Sequence, residues 1–295
     1  MSSVHQLIIG IKGAGEMASA IAYRLYMANI RKIFMMEVRH PIAVRRGVSF
    51  CEAIYEDRKV VEGVEAISEF KFVRQENYFR NDEKMPGNRN QNSVFQRAWQ
   101  DGKIVVVADP DWRIIERVKP HVVVDAILAK KNLGTRMKEA PLVLGLGPGF
   151  VAGNDVHMVI ETNRGHHLGR ILTHGSAEPN TGIPGNIGGF TAQRVLRAPA
   201  SGIFRTTRKI GDMVERGDII GNVYDGKMQA EVVGCVDGVI RGLIRKETRV
   251  DKGLKIGDID PRGDKTYCYT ISDKARAIAG SVLEAVLRRF NGVNL

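Results

Sequence analysis

The stretch that decides the fold of the first half of this chain is Leu7-Ile-Ile-Gly-Ile-Lys-Gly13-Ala-Gly15-Glu-Met-Ala18. Its apolar run indicates a buried strand, and the residues that follow match the pattern G-x-G-x-x-G/A, which joins a strand to a helix. A second apolar run ends at Glu37, 22 residues after Gly15. This order predicts a Rossmann-type strand, turn and helix that bind a phosphate group.

Each residue type in this pattern has a physical role. Gly13 would permit a tight turn, Gly15 would let a phosphate approach the backbone, and the helix N-terminus would supply N–H donors. Glu37 would accept hydrogen bonds from ribose hydroxyls, and Arg39 could contact a 2′-phosphate. The predicted cofactor-binding residues are Gly10, Gly13, Ala14, Gly15, Glu16, Met17, Glu37 and Arg39.

Composition bounds the class of protein. The chain has 295 residues, of which 43% are hydrophobic and 26% charged, as in a soluble globular protein of two domains. No signal peptide and no apolar run long enough for a membrane helix is present, so we expect a cytoplasmic protein without a membrane partner. The net charge of +11, without a basic block and with 6% aromatic residues, favours anionic small molecules over nucleic acid.

Further apolar runs alternate with helical patterns up to residue 150, which predicts a parallel sheet. The polar stretch 75–93 is expected to be an exposed loop or insertion. In a parallel sheet the ligand lies at the carboxyl ends of the strands. By that position alone, candidate residues are Asp109, Asp111, Asp125, Lys130 and Gly147–Gly149.

The middle segment predicts a β-hairpin with polar residues on one face. Residues 155–161 alternate in polarity and 166–174 could return beside them. The candidate catalytic residues are His157, Glu161, His167 and Asp125, since imidazole and carboxylate are the usual acid–base groups. No metal site is expected, because the spacing matches no standard motif; if one formed, its ligands would come from His157, Glu161, His166 and His174. The alternative is a polar hairpin face packed on the first domain.

From residue 199 the sequence repeats with an offset of 36 residues, so that Gly202-Ile-Phe matches Gly238-Val-Ile. Residues 197–262 resemble the biotinyl/lipoyl-type barrel-sandwich domains. The position of the modified lysine in that family corresponds to Lys227, but Tyr224-Asp-Gly226 replaces the usual Glu-Ala-Met. We therefore expect the fold without biotin or lipoate on Lys227.

The expected fold class is thus α/β: a Rossmann-like parallel sheet domain followed by a β-rich barrel-sandwich hybrid (biotinyl/lipoyl-like) domain and a C-terminal helix. The predicted boundaries are 1–150 for the cofactor-binding domain, 151–193 for the hairpin and a glycine-rich connection, 194–265 for the barrel-sandwich domain and 266–295 for the helix.

Long motifs also carry a family resemblance. They are Val124-Asp-Ala-Ile-Leu-Ala-Lys-Lys-Asn-Leu-Gly134-Thr, Gly145-Leu-Gly-Pro-Gly-Phe150, Asp155-Val-His…Glu161-Thr-Asn-Arg-Gly-His166 and Lys255-Ile-Gly-Asp-Ile-Asp-Pro-Arg262. Together they resemble the YqeB family, accessory proteins of selenium-dependent molybdenum hydroxylases, whose first domain is related to the XdhC-type maturation factors. The resemblance implies that the chain binds a phosphorylated, molybdopterin-type cofactor and has the hydroxylase as its partner. It assigns no catalytic residue.

Two other functions remain open from the residues alone. The same turn would suit an NAD(P)-dependent oxidoreductase, and the second domain would suit a non-catalytic docking or carrier protein. Whether the chain is an enzyme, and whether it forms a homo-oligomer, also stays open.

Overall fold

The computed structural model describes residues 3–69 and 91–291 and divides the chain into two compact units. The first unit comprises residues 1–41, 49–180 and 272–295, and the second comprises 42–48 and 181–271. Both units are therefore assembled from segments that are distant in sequence. Of the polar stretch 75–93, residues 75–90 lie outside the described residues, and 91–93 begin a helix.

The first unit alternates strands and helices. Its strands are β1 (Ile8–Lys12), β2 (Lys32–Glu37), β3 (Arg58–Val61), β4 (Val64–Ser68), β5 (Ile104–Ala108), β6 (Val122–Asp125), β7 (Leu142–Leu146), β8 (Met158–Ile160) and β9 (Ile171–Leu172). Its helices are α1 (Glu16–Met27), α2 (Ala53–Glu56), α3 (Gln91–Gln100), α4 (Ile114–Val118) and α5 (Asp273–Phe290). No described helix is both long and apolar enough to cross a bilayer.

These strands form one sheet of nine in the order β3-β4-β5-β2-β1-β6-β7-β8-β9. The seven strands from β4 to β8 in this order run parallel, whereas β3 and β9 pair antiparallel at the two edges. The central strands β1, β5 and β7 are apolar apart from Lys12 at the end of β1, because both faces of the sheet are covered. The carboxyl ends of β1, β2 and β6 consequently lie side by side at one edge of the sheet.

The second unit consists of two antiparallel sheets of four strands each. Its strands are β10 (Val195–Arg197), β11 (Gly202–Arg205), β12 (Met213–Val214), β13 (Ile219–Tyr224), β14 (Gln229–Val233), β15 (Gly238–Leu243), β16 (Thr248–Val250) and β17 (Lys255–Asp260). The sheets have the orders β10-β17-β15-β12 and β14-β13-β11-β16. Each sheet therefore combines strands from both copies of the 36-residue repeat.

The repeat also explains two glycines. Gly202 begins β11 and Gly238 begins β15, and a Cβ on either one would collide with a backbone carbonyl, that of Tyr224 or that of Asp260. Both have φ in the left-handed half of the map, 159° and 150°. The close approach of two backbones at equivalent points therefore requires glycine twice.

The expected fold class is wrong as stated. Instead of a Rossmann-like parallel domain confined to 1–150, the structure has a mixed nine-stranded sheet that extends to Leu172. The C-terminal helix α5 belongs to the same unit as this sheet. Instead of a separate biotinyl/lipoyl-like barrel-sandwich module, two antiparallel sheets form a unit that also takes in residues 42–48. The edge strands and the discontinuous segments depend on long-range pairing, which leaves little trace in local sequence patterns.

Candidate functional site

The turn between β1 and α1, residues 13–17, is here named the glycine turn. Gly13 has a φ of +88°, and its N–H donates to the carbonyl of Met36 at 2.7 Å. Gly15 is extended, with φ −72° and ψ −171°, and is the N-cap residue of α1. Because Gly15 has no side chain, the N-cap residue of α1 provides no side-chain hydrogen bond to the first turn of the helix.

One side of the glycine turn is packed and the other is open. A Cβ at Gly13 would lie 3.4 Å from both the carbonyl oxygen of Ala126 and the Cα of Ile127. Among the residues that the structure describes, nothing lies within 4 Å of a Cβ built at Gly15. An anion can therefore approach the start of α1 from the Gly15 side, where the helix dipole also favours negative charge.

Glu37 is turned towards the glycine turn. Its Oε2 accepts a hydrogen bond from the N–H of Ala14, and its Oε1 accepts one from the N–H of Val38, each at 2.9 Å. Burial raises the pKa of Glu37, although the two backbone hydrogen bonds act in the opposite direction. The carboxylate thus stabilises the conformation of the turn, and its other lone pairs can accept hydrogen bonds from a ligand.

The remaining predicted cofactor-binding residues have different surroundings. Gly10 faces the ring of Phe34, 2.8 Å from where its Cβ would be, so it serves packing. Glu16 accepts a hydrogen bond at 2.9 Å from the hydroxyl of Ser272, the N-cap residue of α5, and thereby joins the starts of α1 and α5. Arg39 is exposed.

A fully buried lysine beside the glycine turn was missed by the sequence analysis. The side chain of Lys12 has no exposed surface, and its Nζ donates to the hydroxyl of Thr135 at 2.8 Å. It also lies 2.7 Å from a carboxylate oxygen of Glu139 and 3.7 Å from the centre of the Trp112 ring. Burial lowers the pKa of Lys12, while Glu139 and Asp125 act to raise it. The only local signal was a charged residue at the end of an apolar run.

Asp125, a predicted catalytic residue, belongs to the same cluster. It is 2% exposed and accepts hydrogen bonds from the hydroxyl of Thr135 at 2.6 Å and from the N–H of Ile127 at 3.2 Å. Burial raises the pKa of Asp125, and the hydrogen bond from Thr135 lowers it. Its position fits an anchor for the loop after β6 better than a group that meets a ligand.

Other strand-end candidates have structural partners as well. Asp109 accepts a hydrogen bond from the N–H of Ile114 at 2.8 Å in the first turn of α4. Asp111 pairs with Arg113 at 3.0 Å on the surface. Gly147 packs against the side chain of Thr162. No described contact therefore joins Asp109 or Asp111 to the glycine turn.

The candidates of the middle segment lie at opposite ends of β8. His157 precedes the strand, and its Nδ1 accepts a hydrogen bond from the N–H of Val143 at 3.0 Å. Glu161 follows the strand, is 2% exposed, and accepts hydrogen bonds from the N–H groups of Thr162, Asn163 and Glu178 at 2.6–2.7 Å. The predicted shared polar face therefore does not bring these two side chains together.

The other histidines of this segment are exposed. The rings of His166 and His167 lie 5.0 Å apart in a turn that lines an open depression with Leu168–Arg170. His174 Nδ1 lies 3.1 Å from the hydroxyl of the neighbouring Thr173. Among the described residues, no three histidine, cysteine or acidic side chains come close enough to hold a metal ion.

In the second unit, Lys227 is exposed in the turn between β13 and β14. Asp225 Oδ1 accepts hydrogen bonds from the N–H groups of Lys227 and Met228, each at 2.8 Å, and these bonds fix the turn. The turn is thus formed by its own Asp-Gly sequence, and the absence of biotin or lipoate on Lys227 stays a prediction.

The motif Lys255–Arg262 forms a buried charge network in the second unit. Asp258 and Asp260, both on β17, are 1% and 0% exposed. Asp258 binds Arg194 at 2.5 Å and also Arg241. Asp260 binds Arg241 at 3.2 Å and Arg262 at 2.7 Å. This part of the motif therefore stabilises the second unit, and nothing in the sequence pattern signalled it.

Comparisons with known proteins place this geometry in context. No family model matches the chain. Solved structures with a likeness include the apo form of the ectoine utilization protein EutE (DoeB) of Ruegeria pomeroyi, 10% identical, covering 85% of each chain, with a TM-score of 0.24. An aspartoacylase family protein of Mesorhizobium loti is 13% identical, covers 85% of this chain and 86% of its own, and has a TM-score of 0.26. These scores are too low to indicate a shared fold.

A sequence relative gives a stronger result. The uncharacterized protein YqeB of Escherichia coli (strain K12) is 44% identical over 285 residues, which cover 97% of this chain and 48% of the relative. The chain therefore spans about half the length of the relative that it matches. Identity at this level over nearly the whole chain supports its assignment to the YqeB family.

Proposed function

We propose that this chain binds a phosphorylated cofactor at the glycine turn and acts as an accessory factor in the maturation of a selenium-dependent molybdenum hydroxylase. The observation that carries the binding proposal is the open side of the turn at Gly15, the N-cap residue of α1. The maturation role follows from the resemblance to the YqeB family.

The chemistry of the turn suits a phosphate group. N–H groups in the first turn of a helix need acceptors, and phosphate oxygens supply several at once. Gly13 adopts a conformation that few other residues tolerate, and Gly15 leaves room for an oxygen to approach the backbone. The net charge of +11 also favours an anionic ligand. A molybdopterin-type cofactor carries such a phosphate.

A pyridine-nucleotide oxidoreductase is the second candidate, because Glu37 lies at the end of β2 beside the turn. Its carboxylate could accept hydrogen bonds from a ribose diol, as in NAD-binding proteins. The same negative charge would repel a 2′-phosphate, so this alternative favours NAD over NADP. Comparing NADH with a molybdopterin dinucleotide therefore separates the two candidates.

The test is the variant Gly15→Asp, assayed by calorimetry with inorganic pyrophosphate, NADH and molybdopterin cytosine dinucleotide. The aspartate would cap α1 and fill the open space with negative charge, so the free protein should be as stable as before or more so. Binding should be lost. Gly280→Asp is the matched control, because it adds the same charge in α5, where a Cβ likewise has no described neighbour within 4 Å.

Several outcomes decide the proposal. Loss of dinucleotide binding in Gly15→Asp, with binding retained in Gly280→Asp, supports the turn as the site. Unchanged binding in Gly15→Asp overturns it. Preference for NADH with turnover would favour the oxidoreductase. In cells that produce the hydroxylase, Gly15→Asp should also lower the fraction of active enzyme.

A further inference from the structure

We infer that Glu37 restricts the glycine turn to diphosphate groups that are esterified at both ends, as in a dinucleotide, and discriminates against ligands that end in a phosphate monoester. The inference deepens the proposed function and rests on it, since the phosphate would lie on the glycine turn. It narrows the ligand class from any phosphorylated cofactor to a diphosphate diester.

The parallel sheet places the carboxylate of Glu37 against the glycine turn. Strand β2 pairs with β1, and the N–H of Gly13 donates to the carbonyl of Met36 at 2.7 Å. Glu37 is the next residue, and its Oε2 accepts a hydrogen bond from the N–H of Ala14 at 2.9 Å. Consecutive Cα atoms lie only about 3.8 Å apart. The carboxylate is therefore a direct neighbour of any anion that approaches the backbone at Gly15.

The negative charge of Glu37 has no cationic partner in the part of the chain that the structure describes. Its two oxygen atoms accept hydrogen bonds from the N–H groups of Ala14 and Val38. Burial raises the pKa of this carboxyl, and the same two backbone hydrogen bonds act to lower it, without a contribution from a cationic side chain. Lys12, which directly precedes the turn, is bound to Glu139. An anion on the turn would consequently meet an unbalanced carboxylate charge.

The carboxylate of Glu37 is also held in this position. The side chain is half-buried, and each of its oxygen atoms accepts a backbone hydrogen bond of 2.9 Å. Rotation away from a ligand would break both bonds and leave the N–H groups of Ala14 and Val38 without these acceptors, which costs free energy. A ligand must therefore be compatible with the carboxylate where it lies.

Glu16, the other carboxylate of the glycine turn, has different surroundings. Its Oε1 accepts a hydrogen bond from the hydroxyl of Ser272 at 2.9 Å. Burial lowers the pKa of Lys274 in the first turn of α5, while the charge of Glu16 acts to raise it. The charge of Glu16 is thus opposed by a cation, whereas that of Glu37 is not. Glu37 is accordingly the carboxylate that limits the charge of the ligand.

The chemistry of phosphate esters gives the reason for the restriction. A phosphate monoester carries about 1.5 to 2 negative charges at pH 7, whereas each phosphate of a diphosphate diester carries a single one. The terminal oxygens of a monoester and the carboxylate of Glu37 are all acceptors, so at neutral pH the two groups repel each other. A group esterified to the diphosphate can instead donate hydroxyl hydrogen bonds to the remaining lone pairs of Glu37. Both effects favour a diester.

The native full chain provides the first measurement. Calorimetry at neutral pH compares ADP, which ends in a phosphate monoester, with ADP-ribose, in which the same adenosine diphosphate is esterified at both ends. We expect ADP-ribose to bind at least about tenfold more tightly than ADP, because it brings less charge to the carboxylate of Glu37. Equal affinities, or tighter binding of ADP, would overturn the inference.

The variant Glu37→Gln removes the charge and keeps the size of the side chain. Inorganic pyrophosphate has unesterified ends and no ribose, so its affinity reports on charge. It should bind Glu37→Gln about tenfold more tightly than the native protein, whereas ADP-ribose should not gain. Glu37→Asp keeps the charge and should keep the preference for ADP-ribose. Glu116→Gln is the matched control, because it removes the same charge from an exposed position on α4 and should leave pyrophosphate binding within about twofold.

The outcomes separate the two proposals. Tighter pyrophosphate binding in Glu37→Gln, but not in Glu116→Gln, supports the role of Glu37. Unchanged, weaker or absent pyrophosphate binding in Glu37→Gln, with dinucleotide binding still lost in Gly15→Asp, overturns that role and keeps the glycine turn as the site. If neither pyrophosphate nor a dinucleotide binds, or if binding does not depend on Gly15, the proposed function itself fails. Should Glu37→Gln not fold, the comparison of ADP with ADP-ribose in the native protein decides.

Discussion

The ammonium of Lys12 lies 2.7 Å from a carboxylate oxygen of Glu139, although the two residues are 127 positions apart in the sequence. This pair, together with Thr135, ties the end of β1 to the loop after β6. The side chain of Lys12 is fully buried, whereas that of Glu139 is 17% exposed. Replacing Lys12 and replacing Glu139 should therefore change the free energy of unfolding by different amounts. A double-mutant cycle can measure both changes and the coupling between them.

We predict that Lys12→Met lowers the free energy of unfolding by about 3 kcal/mol, because it leaves Glu139 and Thr135 without their buried partner. The double variant Lys12→Met/Glu139→Gln should recover at least about 1 kcal/mol of this loss, since no uncompensated carboxylate remains. Urea unfolding followed by tryptophan fluorescence measures both, with Trp112 next to Lys12 as reporter. A double variant whose loss equals the sum of the single losses would contradict the pairing.

A second prediction concerns His157, whose neutral Nδ1 accepts a hydrogen bond from Val143. Burial lowers the pKa of His157 below its ordinary value of 6.5. The neutral form is therefore favoured in the folded state, so the stabilisation is present above pH 6.5 and lost as pH falls through the folded-state pKa. His157→Ala should cost about 1–2 kcal/mol at pH 8 and progressively less in acid.

His157→Asn is the matched variant, because its side-chain oxygen can still accept from Val143, and it should cost less than His157→Ala. Neither change should alter pyrophosphate binding, since His157 lies at the amino end of β8. Thermal unfolding across pH 5–8 and calorimetry provide the measurements. Full stability of His157→Ala combined with lost maturation of the hydroxylase would instead point to a catalytic role.

The third prediction tests the buried network of the second unit. Asp258→Asn should lower the free energy of unfolding by about 3 kcal/mol, because Arg194 and Arg241 would lose a shared buried carboxylate. Glu247→Gln is the control: its pair with Arg205, 3.2 Å long, is more than half exposed on both sides. That control should change stability by less than about 1 kcal/mol. If both variants lowered the free energy of unfolding by similar amounts, the buried network would contribute no more to stability than an exposed ion pair.

The fourth prediction is the acid sensitivity of the second unit. Burial on its own would raise the pKa of Asp260, but hydrogen bonds from Arg262 and the charges of Arg241 and Arg262 lower it below the usual 3.8. A lowered carboxyl pKa stabilises the fold above the unfolded-state pKa, and that stabilisation is lost as pH falls through the folded-state value.

The native protein should therefore exceed Asp260→Asn in stability at pH 5 and above, and the difference should shrink towards pH 2. Hydrogen exchange of the β15 and β17 amides reports on this unit alone. Asp264 offers a comparison, because its carboxylate accepts hydrogen bonds from Thr266, and Asp264→Asn leaves the ion pairs of Asp260 with Arg241 and Arg262 in place. If the difference in stability between the native protein and Asp260→Asn did not change with pH, the lowered pKa of Asp260 would be contradicted.

Part of this fold could be read from local patterns. Apolar runs that end at Gly13 or Asp125 predict strands buried on both faces, and the structure confirms β1, β2, β5, β6 and β7 there. The glycine turn was predicted because its conformation depends on neighbouring residues. The repeat was visible as well, because equivalent close backbone approaches need glycine at Gly202 and Gly238.

The candidate site was predicted less well. Asp125 was correctly located at a strand end, whereas Glu161 was predicted on the polar face of a strand and instead follows β8. Their hydrogen bonds to the backbone and to Thr135 could not be read from the sequence. Lys12 was missed because a lysine at the end of a strand is usually solvated. Only the fold brings Thr135 and Glu139 to it.

The sequence by itself thus determined the strand, the glycine turn and the helix at the start of the chain, because contacts within a few residues and glycine's conformational freedom suffice for them. Tertiary structure alone decided the antiparallel edge strands, the discontinuous units, and the burial of Lys12, Asp258 and Asp260. The physical reason is that a buried charge is stable only when distant parts of the chain bring its partners within hydrogen-bonding distance. Local sequence does not specify those distances.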